Sequence, residues 1–421
     1  MTAPAGPRAP LMLLAALSGI APLSMDLYLP ALPDVEDEFA SGQSAVQLTL
    51  TAVAVGLAVG QLLAGPLSDR FGRRAPLLLG LGVYVLATLL SAFAPSVWVL
   101  VAIRALEGVA GAAGIVLARA IVRDLYSGVE AARVFALLAS VSGAAPVIAP
   151  VLGGQLLRLT EWRGLFVALS LTGLVLLVAS LARMPETLPP DRRVGGGLRT
   201  TVANGRGLLG QRRFLGFVLA QGFAFGALFT YISTSSFTLQ DGYGLSAQQF
   251  SLVFAGNGIG IMAAAELSRL LVGRLGARRL LVAGLAVQSS GSAVLVVAAL
   301  AGAGLPVVLP VLCLVVAAFG VIAPNATALA MSGAASSAGT ASALLGVVQF
   351  AVGGLTAPLA GLGETGALLP LVLVMLCSSG VGLLAATALA GRTPDEPAEA
   401  PTPAVDPAPV TPDAGTPPRQ A

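Results

Sequence analysis

Long apolar stretches dominate this chain and recur between short polar segments over its first 390 residues. A membrane-spanning helix needs about 20 mostly apolar residues, and twelve stretches of that kind are present. We number them spans 1 to 12, and their predicted bounds are 10–32, 45–66, 76–94, 97–118, 134–157, 164–182, 213–238, 247–270, 279–300, 304–330, 339–361 and 367–389. The pattern predicts an all-α membrane protein with twelve transmembrane helices.

Two segments lack the apolar pattern and divide the chain. Residues 183–212 are rich in Arg and Gly and separate spans 1 to 6 from spans 7 to 12. Residues 391–421 are rich in Pro and Ala, and a segment of that composition buries too little apolar surface to fold. We therefore expect an N-terminal half over 1–182, a linker over 183–212, a C-terminal half over 213–390 and a disordered cytoplasmic tail over 391–421.

Short repeats indicate that the two halves are related. Ser44–Leu48 opens span 2 and is similar to Ser246–Phe250, which opens span 8. Arg70–Arg74 follows span 2 and is similar to Arg274–Arg278, which follows span 8. Duplicated six-span halves are a known plan of transporters, in which the binding site lies between the halves.

The distribution of arginine predicts the orientation in the membrane. Arg residues concentrate in the segments that follow spans 2, 4, 6 and 8, whereas the segment between spans 1 and 2 is acidic. Cytoplasmic loops of membrane proteins carry the excess of positive charge. We therefore expect a multi-pass protein of the plasma (inner) membrane with both termini in the cytoplasm.

Composition narrows the classes of function. Only 10% of the residues are charged and 56% are apolar, whereas a soluble domain has about 25% charged residues. A soluble enzyme and a nucleic-acid binder are thereby excluded. The chain has no His, and all its basic residues are Arg, so proton chemistry must run on carboxylates. We expect no metal site and no cofactor, with a proton gradient as the source of energy.

Few ionisable residues lie inside the predicted spans, and we single out Asp26, Arg104, Glu107 and Glu266. Each costs at least about 2.5–3.5 kcal/mol at the centre of a spanning helix, so each is a candidate for function. Asp26 and Arg104 are expected at similar depth, and Glu107 shares a helix face with Arg104. These three residues predict a proton-coupling cluster, and the alternative is a static ion pair between spans 1 and 4. The position of Glu266 is more typical of an interface residue.

The segment between spans 2 and 3 interleaves acidic, basic and glycine residues. We interpret it as a conformational charge lock, in which Asp69 caps a helix, an Arg pairs with Asp124 below span 4, and glycines let helix ends approach. The alternative is a tight turn within a cluster of cytoplasmic positive charge. The predicted lock consists of Gly65, Asp69, Arg70, Gly72, Arg73, Arg74 and Asp124.

Span 5 carries an unusual run of glycines and prolines. Proline kinks a helix, and glycine leaves a flat face for close packing. The alternative is that these residues are the generic Gly and Pro of transmembrane helices. The residues of this motif are Gly143, Pro146, Pro150, Gly153 and Gly154.

Together, these motifs resemble those of the major facilitator superfamily, and most closely the drug:proton antiporters of the bicyclomycin-resistance (Bcr/CflA) type. Ser24–Pro33 is similar to the span 1 signature of that group, and Gly65–Arg74 is similar to the superfamily motif between spans 2 and 3. Gly143–Gly154 is similar to the span 5 motif of exporters. Arg104–Gly108 is similar to the span 4 motif, whose Arg is implicated in proton transfer; Gln is usual where this chain has Glu107.

The resemblance implies the major facilitator fold, with two six-helix halves around a central cavity that spans 1, 4, 7 and 10 line. A mostly apolar wall with a few polar groups suits a small amphiphilic molecule. The alternative is that the aromatic side chains only pack helices together. The candidate cavity residues are Tyr28, Phe225, Phe229, Tyr231, Asn257, Asn325 and Gln349.

The resemblance implies proton-coupled efflux of small amphiphilic drugs, antibiotics among them. Transport would proceed by alternating access, with a carboxylate proton site in the N-terminal half. The closest alternative is a same-fold exporter of an endogenous metabolite, amino acid or sugar. A membrane-embedded enzyme is disfavoured, because the acidic cluster from Asp34 to Glu38 has no His, Lys or Cys beside it. The expected partners are the drug-like substrate, protons and the lipid bilayer, and we expect the chain to act as a monomer.

Overall fold

Helices account for nearly all of the chain that the structure describes. The structure is a computed structural model, and it describes residues 10–126, 128–193, 206–332, 338–363 and 366–389. The predicted tail over 391–421 and the middle of the predicted linker, 194–205, lie outside the described residues. Eleven described helices are long and apolar enough to cross a membrane, and in a twelfth the apolar stretch over Leu344–Ala360 is shorter.

The N-terminal half contains six helices, of which the first is interrupted. Helix α1, Leu11–Phe39, is α-helical over Leu11–Asp26 and Leu32–Phe39, with a 3-10 turn at Leu29–Ala31 between them. Pro30 has no N–H to donate, which suits it to this break. Asp26 is therefore the last residue of the first helical part. The other helices are α2 (Gln43–Phe71), α3 (Arg74–Ser91), α4 (Val97–Leu125), α5 (Gly128–Leu156) and α6 (Trp162–Arg183).

The C-terminal half repeats this arrangement. Its first helix, α7, is α-helical over Arg212–Phe237 and ends in a π-helical turn, Thr238–Gly242. Helix α8 begins with a capping box, because Ser246 Oγ accepts from the Gln249 N–H and Gln249 Oε1 accepts from the Ser246 N–H. The remaining helices are α8 (Ala247–Leu275), α9 (Ala277–Leu300), α10 (Leu305–Ser332), α11 (Ala338–Ala360) and α12 (Leu368–Leu389).

Several helices are longer than the apolar stretches that predict them. The apolar stretch of span 2 ends near 66, but α2 continues to Phe71. That of span 4 ends near 118, but α4 continues to Leu125. Polar residues at a helix end remain helical while they leave the apolar layer, so hydropathy alone underestimates these helices. The extensions matter because they carry Asp69 and Asp124 on rigid helix ends.

Glycines bring α2 and α4 into direct backbone contact. A Cβ at Gly56 would lie 2.3 Å from the Ala105 carbonyl oxygen, and a Cβ at Gly108 would lie 2.3 Å from the Val53 carbonyl oxygen. In the C-terminal half, a Cβ at Gly320 of α10 would lie 2.1 Å from the carbonyl oxygen of Ile261 in α8. Small residues are the usual means of close helix packing in membranes. The equivalent helix pairs of the two halves, α2 with α4 and α8 with α10, therefore both pack closely at glycine residues.

The halves meet mainly where α2 packs against α11 and α5 packs against α8. Four hydrogen bonds join the halves within the described part of the chain, and all lie at the end where α1 connects to α2. The donor and acceptor residues are Ser44 and Pro358, Gln47 and Thr234, Gln240 and Pro30, and Gln248 and Gly154. The structure is thus closed at this end of the helix bundle.

Candidate functional site

A cavity of about 230 Å³ lies between the two halves. Helices α1, α4, α7 and α10 contribute to its walls, as the resemblance implies, and so do α2, α5, α8 and α11. Its lining residues are Ala21, Pro22, Met25, Asp26, Leu57, Ile115, Pro146, Phe225, Leu228, Phe229, Tyr231, Ile232, Phe254, Asn257, Gly258, Ile261, Val316 and Phe350. Asp26 is the one charged residue among them, so the cavity is an apolar chamber with a single carboxyl group.

Four of the seven candidate cavity residues line this chamber, namely Phe225, Phe229, Tyr231 and Asn257. The other three face different surroundings. Tyr28 is fully buried in the N-terminal half, where its ring lies 5.1 Å from that of Phe166. Asn325 donates to Ser268 Oγ, and Gln349 accepts from Gln221 Nε2, so both are engaged within the C-terminal half.

Aromatic rings form the wall contributed by the C-terminal half. Phe225 stacks on Phe229 with 5.7 Å between ring centroids and meets Phe350 edge to face at 5.4 Å. Tyr231 stacks on Phe254 at 5.5 Å. Phe254 and Phe350 are absent from the predicted set. The sequence holds a signal for Phe254, because it precedes Asn257 by three residues and so shares its helix face.

Two polar side chains of this wall are hydrogen-bonded to each other. Asn257 Nδ2 donates to the Tyr231 hydroxyl at 2.6 Å. Both side chains are buried, with Asn257 4% exposed and Tyr231 1% exposed. The pair holds the Tyr231 ring in place and leaves the Asn257 amide oxygen as an acceptor beside the cavity.

Asp26 is buried, and it has no partner among the residues that the structure describes. Its side chain lines the cavity and is only 5% exposed. It takes part in no hydrogen bond or ion pair with any residue that the structure describes. An ionised carboxylate in such surroundings is costly unless it is paired. The group is therefore suited to hold a proton, or to bind a cation that enters the cavity.

Arg104 and Glu107 form a closed ion pair in α4. Arg104 Nη1 donates to both carboxylate oxygens of Glu107 at 2.9 Å, and Arg104 Nη2 donates to the Ser24 carbonyl oxygen at 3.0 Å. The side chains are 0% and 1% exposed. The guanidinium carbon also lies 5.3 Å from the ring centroids of both Tyr28 and Phe166. The structure thus joins two of the three predicted proton-coupling residues and leaves Asp26 outside the pair.

Glu266 has a different environment. It pairs with Arg269 one turn further along α8, at 2.5 Å, and its side chain is 57% exposed. This is the interface-type position that its location in the sequence indicates.

Arg73 is the centre of the predicted charge lock. Its Nε donates to Asp124 Oδ2 at 2.9 Å, and its Nη1 donates to Asp69 Oδ1 at 2.5 Å and to Ser68 Oγ at 2.7 Å. Partial burial lowers the pKa of Arg73, but its bonds to the two carboxylates outweigh this and raise the pKa above its ordinary value. The guanidinium therefore ties the end of α2 to the end of α4.

The other basic residues of the predicted lock make different contacts. Arg74 Nη2 donates to the Leu181 carbonyl oxygen of α6 at 2.8 Å. The Arg70 guanidinium lies over the ring of Phe71 at 5.2 Å. A Cβ at Gly65 would meet no atom within 4 Å, so the close approach expected at this glycine is not made in this conformation. Gly72 has φ +89°, which explains the choice of glycine there.

Glu186 belongs to this site although sequence reasoning missed it. Its carboxylate accepts from the backbone N–H groups of Arg73 at 2.8 Å and Arg74 at 3.2 Å, which open α3. Thr187 Oγ1 beside it donates to Asp124 Oδ2 at 3.0 Å. Partial burial raises the pKa of Glu186, but the bonds from the backbone N–H groups of Leu188, Arg73 and Arg74 lower it to below its usual value. The signal in the sequence is an acid immediately after span 6, within the predicted linker.

The span 5 motif packs α5 against both halves. A Cβ at Gly153 would lie 2.1 Å from the Leu27 carbonyl oxygen of α1, and one at Gly154 would lie 2.4 Å from Ser251 Oγ of α8. Pro146 lines the cavity, and Pro150 lies inside the same helix. A Cβ at Gly143 would meet no atom within 4 Å. The glycines at the closed end are thus the ones that permit close approach.

Comparison of the sequence with known proteins gives consistent matches. The family model of the Major Facilitator Superfamily matches residues 14–358. The chain is 36% identical to the uncharacterised MFS-type transporter YdgK of Bacillus subtilis, over 89% of this chain and 93% of that protein. It is 32% identical to the bicyclomycin resistance protein homolog of Haemophilus influenzae, over 91% of this chain and 96% of that protein. It is also 32% identical to a chloramphenicol resistance protein of Pseudomonas aeruginosa, over 69% and 68% of the two chains.

Solved structures with the same arrangement of helices include a bacterial homolog of the human lysosomal transporter Spinster, in an inward-facing and occupied conformation. It superposes with a TM-score of 0.69 at 17% identity, and the match covers 89% of this chain and 94% of that one. At this level of identity the likeness concerns the fold.

Proposed function

This chain belongs to the major facilitator superfamily, and we propose that it exports small amphiphilic compounds, antibiotics among them, in exchange for protons. It is a multi-pass membrane protein. Relatives named for bicyclomycin and chloramphenicol resistance support drug-like substrates. The observation that carries the proposal is the Asp26 carboxyl group, which lies in an apolar cavity between two six-helix halves and has no partner among the described residues.

The cavity favours exchange because proton and substrate compete for one group. When the cavity is empty, a proton neutralises Asp26 and removes the cost of a buried charge. A bound substrate that stabilises the carboxylate releases that proton. A bound proton and a bound substrate thus exclude each other at Asp26, which is the requirement for antiport.

The closed end of the bundle faces the outside in this proposal. The Arg-rich segments lie at the opposite end, so the positive-inside rule places them and both termini in the cytoplasm. The structure then corresponds to a conformation closed to the exterior, from which substrate is taken up on the cytoplasmic side. One copy of the chain suffices, since the cavity lies within it.

The other two sites support this cycle. The Arg104–Glu107 pair holds the carbonyl of Ser24 and so fixes the part of α1 that carries Asp26. The lock around Arg73 binds the ends of α2 and α4 together. We assign the first to proton coupling, acting through Asp26, and the second to conformational control.

The test is proton release from energised inverted membrane vesicles on addition of bicyclomycin, chloramphenicol, a sulfonamide or a lipophilic cation. We expect at least one compound to release protons with the natural chain and none with Asp26→Asn, because the amide cannot carry the exchanged proton. Glu266→Gln removes a carboxylate outside the cavity and serves as the matched control, with an unchanged response.

Two results contradict the proposal. A response that survives Asp26→Asn moves the proton site away from Asp26. Silence of the correctly inserted natural chain towards all compounds excludes them as substrates and favours an exporter of an endogenous metabolite.

A further inference from the structure

We propose that Glu107 determines the charge preference of the cavity, because by holding Arg104 it leaves Asp26 as the single uncompensated charge there and so selects monovalent organic cations. This inference rests on the proposed function and names the substrate class of the same cavity. Glu107 is then a specificity-determining residue that acts without touching the substrate.

The first step is that the positive charge of Arg104 is neutralised by Glu107. Its Nη1 is bonded to both oxygens of Glu107, and its Nη2 is bonded to the Ser24 carbonyl oxygen. Aromatic rings of Tyr28 and Phe166 lie 5.3 Å from the guanidinium carbon. The pair is closed off from the cavity and sums to zero charge.

The second step is that Asp26 faces the cavity and stands apart from this pair. The Ser24 carbonyl that Arg104 binds is two residues before Asp26 in the same helix. Among the residues that the structure describes, Arg104 is thus the basic residue bonded to the part of α1 that carries Asp26. With a neutral side chain at position 107, the positive charge of Arg104 would be free to compensate the negative charge of Asp26. With Glu107 present and Asp26 deprotonated, the three groups together carry one net negative charge.

The third step is the opposite wall. The cavity surface from α7, α8 and α11 presents the rings of Phe225, Phe229, Tyr231, Phe254 and Phe350. Aromatic faces attract organic cations, most strongly where water is excluded. Among the lining residues that the structure describes, none is basic. One carboxylate faced by aromatic rings matches a cation with a single charge and apolar substituents.

The experiment compares two probes of one shape and different charge, methyltriphenylphosphonium and triphenylphosphine oxide. Their dissociation constants are measured by calorimetry on the purified full chain in detergent, at a pH at which the natural chain binds. We expect the natural chain to bind the cation at least about tenfold more tightly than the neutral oxide, equivalent to about 1.4 kcal/mol.

Substitution at position 107 separates charge from structure. Glu107→Gln releases Arg104 and is expected to abolish the preference for the cation. The double variant Arg104→Gln/Glu107→Gln removes both charges, leaves Asp26 uncompensated again and is expected to restore the preference. A purely structural role of the ion pair predicts instead that the double variant behaves like the single one.

If Glu107→Gln does not fold, the binding of both probes is measured instead for Glu107→Asp and Asp26→Asn. The preference should persist in the first variant, which keeps the charge, and disappear in the second, which removes the uncompensated charge.

Equal binding of both probes by the natural chain overturns the inference, and so does a preference that Glu107→Gln leaves intact. Failure to bind the cation overturns it as well. If vesicles release protons only for neutral compounds, this inference fails while the proposed exchange stands. If no compound releases protons, the proposed function fails as well.

Discussion

At the scale of single residues, the buried charged groups of this protein differ in whether they are paired. Asp26, Arg104 and Glu107 are all buried ionisable groups, and the cost of burial alone does not distinguish them. Their contacts with other residues do distinguish them. Arg104 and Glu107 are paired with each other, whereas Asp26 lines the cavity with no partner among the residues that the structure describes. The same burial thus leaves one pair of charges neutralised and one carboxyl group on the cavity wall, and the second is the group that we propose to bind the proton.

Breaking the buried pair from one side should be more harmful than removing it entirely. Arg104→Gln leaves the Glu107 carboxylate buried without a partner, and loss of one member of a buried pair typically costs about 3–5 kcal/mol. We expect a clear loss of thermal stability in detergent for this variant. The double variant Arg104→Gln/Glu107→Gln serves as the control and should recover most of the loss. Equal destabilisation of the two variants would contradict this account.

At the scale of elements, helix ends rather than helix middles hold the lock together. Arg73 joins the extended ends of α2 and α4. Glu186, from the segment after α6, caps the start of α3 through two backbone N–H groups. A carboxylate at a helix N-terminus is favoured by the helix dipole and by the unpaired N–H groups. Four helices of the N-terminal half are thus tied together at one end.

The cap predicts a pH-dependent contribution to stability. Because the pKa of Glu186 is lower in the folded protein than in the unfolded chain, its stabilisation is complete above the ordinary glutamate pKa of about 4.3 and is lost as the pH falls through the lowered value. Glu186→Gln should therefore lower the melting temperature at pH 7, with a difference that shrinks below about pH 4.

Thermal melting of both proteins across this pH range measures the effect. Glu161→Gln is the matched control, since Glu161 is exposed before α6 and makes no capping hydrogen bond. A Glu186→Gln difference that is the same at every pH would argue against the cap.

At the scale of the whole molecule, the two halves are held together at one end by a small set of contacts. Gln47 and Thr234, both fully buried, share one of the four hydrogen bonds between the halves. Glycines of α5 add close contacts at the same end. Alternation requires these contacts to break and others to form, so their total strength sets the balance between conformations.

Loss of one of these bonds should shift that balance. Gln47→Ala removes a hydrogen bond worth about 1 kcal/mol, which corresponds to a roughly fivefold shift towards conformations open at this end. Spin-label distances between the ends of α2 and α11 report the shift. Gln43→Ala is the control, because Gln43 lies at the same end of α2 and makes no bond across the halves among the described residues. An unchanged distance distribution in Gln47→Ala would show that this bond does not contribute.

The sequence by itself determines the helices, the family and the identity of the charged groups. Twenty-residue apolar runs are sufficient to specify membrane helices, because unpaired backbone groups are not tolerated in lipid. Motifs such as Gly65–Arg74 are local in the chain and therefore visible in it. The prediction that an Arg pairs with Asp124 is confirmed, and the structure identifies this residue as Arg73.

Only the tertiary structure decides which of these groups meet. Tyr28, Asn325 and Gln349 share the depth of the cavity residues in the sequence pattern, but all three point into the halves. Helix rotation directs Asn325 and Gln349 there, whereas Tyr28 lies in the break of α1. Glu186 is recruited to the lock from a segment without apolar pattern. The separation of Asp26 from Arg104 is likewise a matter of side-chain direction. Periodicity specifies the depth and face of a residue in its own helix, whereas its partner depends on how the helices pack.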